Sequence, residues 1–390
     1  MKPQAGFSID AALEVILGNI PRSARCENVS IAGTLGRVSA VNVFAPGDQP
    51  RFDSAAMDGW MVVGEHAAYR VVGESRAGAA YLDTLRDGEA VVISTGAVVP
   101  RGATALIRRE QGFAADGALR IGAYHPGRDV RPRGCDFRAG DVLLGEGQVI
   151  DHLDIARVAA AGIATLAVRA APQVALLATG DEITPGGQEA GAFGNYDALS
   201  PAILARLGDG ARHLGIVRDM DGAIAERIAA CDADVMIVIG GASGGRHDRV
   251  RHALGELGLQ VMVPSVAMRP GKPFWCAVLD GGRMVFGLPG NPVAALVALE
   301  LFVLPALMAM AGARPARDWI DLEDEAPLAG AYARVRFARW EMGAGGLAVR
   351  ALGQGDSAAL MPLAGANGVI RHDGAGARLL PLALTRVWAR

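Results

Sequence analysis

Between residues 172 and 312 the chain alternates short apolar runs with amphipathic stretches, and this alternation restricts its fold more than any other feature. Val174 to Ala178, His213 to Val217, Val235 to Ile239, Gln260 to Val263, Phe274 to Val278 and Met284 to Phe286 read as strands. Pro201 to Leu207, Ala223 to Ala230, Arg249 to Leu257 and a long segment from Pro292 read as helices. Strands that are apolar along their whole length have no solvent face, so the pattern predicts a mostly parallel sheet covered by helices on both sides.

The flanking text differs. Phe7, Ile9, Leu13, Ile16, Leu17 and Ile20 mark an amphipathic helix over 7–21, closed by Pro21. Residues 22–45 read as short strands and turns, and 136–171 as a mixed stretch with a short helix at Leu153 to Ala161. Over 46–135 valine-rich runs such as Trp60 to Val63 and Ala90 to Ile93 are separated by Gly and Asp-Gly pairs, which predicts an all-β module. A second β-module follows Arg314-Pro315, over 317–390.

A length of 390 residues suggests about two to four domains. A hydrophobic share of 51% with 20% charged residues excludes a disordered chain, and a net charge of −3 leaves no basic footprint for nucleic acid. The four cysteines, at 26, 135, 231 and 276, form no close pair, which fits neither a zinc site nor a disulfide framework and agrees with a reducing cytoplasm. The N-terminus reads as a helix rather than an export signal. Val293 to Ala311 is long and apolar enough to span a bilayer, but it contains Glu300 and Pro305 and opens on Asn291-Pro292, so it reads as a buried core helix and no membrane partner is expected. Lysine occurs only at positions 2 and 272. In a chain that otherwise writes arginine, an internal lysine points to a site needing a compact ammonium.

In open α/β sheets, ligands bind beyond the carboxyl ends of the strands. The loops there are Thr179-Gly180-Asp181-Glu182, Arg218-Asp219-Met220-Asp221, Gly240-Gly241-Ala242-Ser243-Gly244-Gly245 with His247-Asp248, Arg269-Pro270-Gly271-Lys272-Pro273, and Gly287-Leu288-Pro289-Gly290-Asn291-Pro292. The glycine loop leaves an apolar strand and enters a helix, so its N–H groups can cradle a phosphate, although glycines as often serve only a tight turn. It matches neither the Walker nor the dinucleotide pattern. Glu182, Asp219 and Asp248 would repel an anion unless a divalent cation lay between them; each is also a good helix cap or a solvated loop charge. His247 reads as a solvated loop histidine, and no nucleophile triad can be assembled.

These loops together resemble the molybdopterin molybdenumtransferases, the bacterial molybdenum insertases related to the E-domain of gephyrin. The likeness continues in Ser54-Ala55-Ala56-Met57-Asp58-Gly59-Trp60, which has one residue more than the family's Ser-x-Met-Asp-Gly-Tyr, and in Ser94-Thr95-Gly96-Ala97 with Pro100. Gly134-Cys135-Asp136 stands at a Gly-Glu-Asp turn, and Gly353-Gln354-Gly355-Asp356-Ser357 is similar to a C-terminal Gly-Gln-Gly-Ser segment.

The resemblance implies a fold of class α/β plus β in an elongated multidomain subunit. Its parts would be an α/β molybdopterin-binding domain (7–21 and 172–316), a discontinuous mixed domain (22–45 and 136–171), a β-module (46–135) and a C-terminal β-barrel-like domain (317–390). It implies a homodimer that takes molybdate and adenylylated molybdopterin and releases molybdenum cofactor and AMP with the help of Mg2+ or another divalent cation. A molybdopterin adenylyltransferase would supply the substrate, and molybdoenzymes or their chaperones would receive the product.

By position, Asp58, Thr95, Asp136, Glu182, Asp219, Asp248 and Lys272 inherit catalytic roles, Glu182, Asp219 and Asp248 among them as metal ligands. Gly240, Gly241, Ser243, Gly244, Arg269, Pro289, Asn291 and Ser357 inherit substrate contacts. The sequence departs from the family where Arg269 replaces a common lysine, Trp60 a tyrosine and Arg249 an aromatic. A non-catalytic scaffold and a nucleotide-dependent transferase of another pathway are the competing readings; the retained carboxylates and Lys272 count against the scaffold.

Overall fold

The computed structural model describes residues 6–21, 25–208, 210–241, 249–255, 257–313, 319–322, 331–344, 346–353, 356–374 and 376–382. Two compact units emerge, one from residues 1–41, 146–151 and 165–390, the other from 42–145 and 152–164.

The first unit holds the alternating segment. Its strands are β1 (Val174–Thr179), β2 (Ala211–Val217), β3 (Val235–Ile239), β4 (Gln260–Val263), β5 (Trp275–Val278) and β6 (Met284–Leu288). They form a six-stranded sheet in the order β2-β1-β3-β6-β5-β4. β2, β1, β3 and β6 run parallel, and β5 runs antiparallel to both β6 and β4. The sheet is thus mostly parallel, with a single reversed strand made by the Asp280-Gly281-Gly282 turn between β5 and β6.

The continuous apolar character of β1 and β3 has a direct packing cause. Every residue of both strands is buried. Val174, Leu176, Val235 and Ile237 face a core shared with α1 (Ile9–Gly18), α2 (Leu199–Leu207) and the long helix after β6, while Ala175, Leu177, Met236 and Val238 face α3 (Asp221–Ala229) and α4 (Arg249–Gly255). Neither face is left to water, which is why a period of two never shows in the sequence.

The long apolar segment is α5 (Pro292–Ala298), a π-turn over Leu299–Val303, and α6 (Leu304–Met310). Among the described residues it is the one helix long and apolar enough to cross a membrane, and most of its side chains are buried in the core. The π-turn sits just before Pro305, which has no N–H to donate to the carbonyl four residues back and whose ring crowds that carbonyl. Glu300, the one charge inside the helix, is answered by Arg206 of α2 at 2.9 Å.

The rest of the first unit includes a sheet made by 320–322, 333–343, 346–351, 368–373 and 376–381 together with the short strand Met268–Arg269. Met268–Arg269 belongs to the α/β segment, so a parallel pairing of 268–269 with 333–334 stitches the C-terminal strands to the loop that carries Lys272. A buried guanidinium adds a second tie. Arg371 pairs with Asp373 and with Asp10 of α1. Strand Cys26–Ser30 pairs antiparallel with Thr165–Arg169.

The second unit is built on a six-stranded mixed sheet of 105–108, 59–62, 89–93, 68–75, 118–121 and 112–115, with a helix at His152–Ala160.

Candidate functional site

A pocket of about 570 Å³ opens at the carboxyl ends of β1, β3 and β6. Its floor is the place where three strand ends converge. Thr179 ends β1 and its Oγ1 donates to the Ile239 carbonyl at 3.2 Å, while the Gly240 N–H donates to the Leu288 carbonyl at 3.1 Å. Gly240 has φ +90°, and a Cβ there would stand 2.6 Å from the Thr179 carbonyl oxygen. Only glycine lets β3 turn this close to β1. The first glycine of the loop expected to cradle a phosphate is thus accounted for by packing, and its N–H is spent inside the sheet edge.

Above the floor, Glu182 and Asp219 line the pocket with Gly241, Pro289, Gly290 and Asn291. Asp219 is half-buried, and burial, followed by the negative charges of Asp181 and Glu182, pushes its carboxyl above the ordinary carboxylate value. The Arg249 guanidinium and a hydrogen bond from Thr179 act in the opposite direction. The Asp219 N–H donates to Asp181 Oδ1 at 3.3 Å, which fixes the strand-exit turn. Asp181, Glu182 and Asp219 thus crowd three carboxyl groups at one strand-exit edge of the pocket, with the Arg249 guanidinium acting against them.

Asn291 caps α5 by position, yet its side chain is turned to the C-terminal segment, where Nδ2 donates to Ser357 Oγ at 3.0 Å. The Ser357 carbonyl accepts from the Val293 N–H at 2.9 Å, satisfying an orphan donor of the first helical turn. Ala358, next to it, lines the pocket. The last β-segment thus closes one wall.

Of the loop that carries Arg269 and Lys272, Pro273 lines the pocket, and the two cations are not among its lining residues. Gly271, with φ +108°, lies so close to Met268 that a Cβ would come within 2.3 Å of its methyl carbon. The loop's path past Lys272 is therefore set by a glycine.

In the second unit Asp58 and Thr95 meet. Asp58 Oδ1 accepts from the Thr95 N–H at 2.7 Å and from its Oγ1 at 2.9 Å. These hydrogen bonds hold the Asp58 carboxyl below its usual value, so it stays ionised and keeps one oxygen free of them. Asp136 is exposed, its N–H donating to the Gln49 carbonyl at 3.0 Å.

Ser243, Gly244 and Asp248 lie outside the described residues. Among the described residues no group of three His, Cys, Asp or Glu side chains stands close enough to hold a metal ion. Cys276 is buried in the core and burial pushes its thiol far above the normal range, so it stays protonated.

Two contributions escape the sequence patterns. Asn195, Tyr196 and Asp197 form part of the pocket wall, with Asp197 Oδ1 accepting from the Leu199 and Ser200 N–H groups at 3.2 and 2.9 Å. An Asp before an apolar helix was the available signal. Tyr332, whose ring lies against Arg269 and Lys272, has no local signal at all.

This fold and pocket define an α/β protein with a ligand site beyond the carboxyl edge of its sheet. Residues 7–162 match the MoeA N-terminal region (domain I and II), and 175–309 match a probable molybdopterin binding domain. A molybdopterin molybdenumtransferase of Haemophilus influenzae is 30% identical over 317 residues, covering 78% of each chain. Molybdopterin molybdenumtransferase 2 of Mycobacterium tuberculosis is 34% identical over 320 residues, covering 76% of this chain and 78% of that one. The crystal structure of a molybdopterin biosynthesis moeA protein from Pyrococcus horikoshii superposes with a TM-score of 0.74 at 28% identity, covering 96% of this chain and 99% of that one. The chain belongs to the molybdopterin molybdenumtransferase family, transferases of molybdenum cofactor biosynthesis.

Proposed function

We propose that the chain transfers molybdenum from molybdate into adenylylated molybdopterin, releasing molybdenum cofactor and AMP in a reaction that depends on a divalent cation. The observation that carries this reading is the pocket at the sheet's carboxyl edge, where Glu182 and Asp219 line a glycine turn and burial with neighbouring negative charge raises the Asp219 carboxyl. Anionic substrate would be repelled from such a wall without a cation between them.

The donor set fits magnesium, a hard ion that takes carboxylate oxygens and usually needs only one or two of them beside substrate phosphate oxygens. Glu182 and Asp219, with Asp248, would hold it. When bound, it supplies neutralisation of the pyrophosphate that links AMP to the pterin. Lys272 and Arg269 stabilise charge developing on phosphoryl oxygens, and the N–H groups of Gly241, Ser243 and Gly244 bind phosphate, while Gly240, whose own N–H is spent on the Leu288 carbonyl, serves the substrate by shaping the turn. Asn291 and Pro289 position the substrate along the wall, the Ser357 hydroxyl donates to a molybdate oxygen, and Thr95, whose hydroxyl proton is spent on Asp58 Oδ1, acts through that carboxylate. Asp58, kept ionised by Thr95, and Asp136 orient water by accepting its protons. The sulfur ligands of the metal come from the substrate, so no cysteine is required.

The same reading takes the subunit as the four-part arrangement that the resemblance implies, working as a cytoplasmic homodimer. A molybdopterin adenylyltransferase delivers the substrate, and molybdoenzymes or their chaperones accept the product.

Glu182→Gln tests the assignment, because it keeps the side chain's shape and removes its charge. The variant is expected to fold with an unchanged circular dichroism spectrum and to lose AMP release from adenylylated molybdopterin. Wild-type turnover in this variant would sink the role given to Glu182.

A further inference from the structure

Arg269 and Lys272 are both exposed cations, and among the described residues neither has a carboxylate partner. They share an aromatic ring instead. The Tyr332 ring centroid lies 4.6 Å from Arg269 Cζ and 5.7 Å from Lys272 Nζ. The face of an aromatic ring carries the negative side of its quadrupole, so it attracts both cations and offsets part of their mutual repulsion.

The chain leaves this ring little freedom. Ala333, the next residue, donates its N–H to the Ala267 carbonyl at 2.9 Å, and Met268 and Arg269 pair in parallel with Ala333 and Arg334. Tyr332 is thereby delivered to the cation loop by backbone hydrogen bonds that do not depend on its own side chain. The tyrosine is half-buried, with its face spent on the cations.

We propose that Tyr332 is a positioning residue that holds Arg269 and Lys272 side by side as a two-pronged clamp for a pyrophosphate group. A forked guanidinium and a compact ammonium suit the two phosphoryl groups of such an ester differently, the first by bidentate bonds and the second as a point charge. The clamp deepens the functional reading above and rests on the role given there to Lys272.

Lysine at only two positions makes the clamp directly observable. In full-length protein labelled selectively with 13C-lysine, the ε-methylene protons of Lys272 are expected upfield, displaced by the ring, in wild type and in Tyr332→Phe. In Tyr332→Leu they return to the position of a free lysine. Calorimetric affinity for inorganic pyrophosphate is expected to fall roughly three- to tenfold in Tyr332→Leu and to hold in Tyr332→Phe. The lysine signal reports only that the ring lies beside Lys272, whereas the affinity separates the roles: a merely structural tyrosine would leave pyrophosphate affinity unmoved once thermal midpoints match, and Tyr332→Met replaces the leucine variant should that one fold poorly.

A Lys272 signal that ignores Tyr332→Leu overturns the proposal. So does wild-type affinity in Tyr332→Leu where Lys272→Ala binds weakly. Full affinity in Lys272→Ala is a different failure, because it removes the role of Lys272 on which the clamp depends.

Discussion

Arg108 grips Asp129 with two parallel hydrogen bonds, Nε to Oδ2 at 2.7 Å and a terminal nitrogen to Oδ1 at 2.8 Å. Asp129 has φ +59°, and its carbonyl accepts the Ala56 N–H at 2.8 Å, while Arg108 pairs across the sheet with Gly59. The pair therefore brackets the turn that carries Asp58. A left-handed aspartate is tolerated because its side chain has a fixed partner.

The arginine holds the Asp129 carboxyl below its usual value. A carboxyl depressed in the folded state contributes stability above its unfolded value, near pH 4, and loses it as pH falls through the lower folded value. Asp129→Asn, which tolerates the same backbone, is expected to melt below wild type at neutral pH. The gap in thermal midpoint should close below about pH 4. A gap that stays constant from pH 7 to pH 3 would show that the ion pair contributes nothing.

Gly287 faces Trp275 across the β5–β6 pair, and a Cβ on it would stand 1.9 Å from the indole. Trp275 is fully buried, with the Arg251 guanidinium 5.2 Å from its ring, so it has no route of retreat. Gly287→Ala is expected to destabilise by about 1–3 kcal/mol in chemical denaturation, and Trp275→Leu in the same chain to recover part of the loss.

Arg206 and Glu300 form a largely buried pair across two helices of the core. Arg206→Met removes the guanidinium that faces the Glu300 carboxylate and is expected to cost about 2–4 kcal/mol, whereas Arg206→Met with Glu300→Leu should cost less than the single change. Equal losses for the single and double variants would mean that the charge at Glu300 is not what destabilises.

What could be read from the chain follows the range of the forces involved. β1 and β3 announce themselves because burial on both faces leaves an unbroken apolar run. The acidic and glycine loops of the pocket are legible because each sits directly after such a run. Tyr332 is not, since its place depends on a two-residue parallel pairing between segments more than sixty positions apart in the chain. The Asn195 to Asp197 wall is equally hidden, being held by a two-residue pairing of 183–184 with 195–196 that carries no periodicity. The reversed β5 follows from a short glycine turn, yet the direction of a strand is set by its connection and not by its own residues.

Asn291 and Ser357 join the end of β6 to the C-terminal β-segment through one hydrogen bond, reinforced by the Val293 N–H on the Ser357 carbonyl. The backbone bond survives a change in either side chain, so the two segments stay docked when the side-chain bond is removed. Asn291→Ala and Ser357→Ala should then fold normally, each losing the same polar wall of the pocket. If the two groups act as one unit, each single change lowers turnover of adenylylated molybdopterin by a similar factor and the double variant is no worse than either. Independent contributions would multiply, and a double variant slower by the product of the two factors would show that Ser357 contacts substrate without Asn291. The coupled result is expected, because Asn291 Nδ2 spends a donor on Ser357 Oγ and so orients that hydroxyl beside Ala358, which lines the pocket.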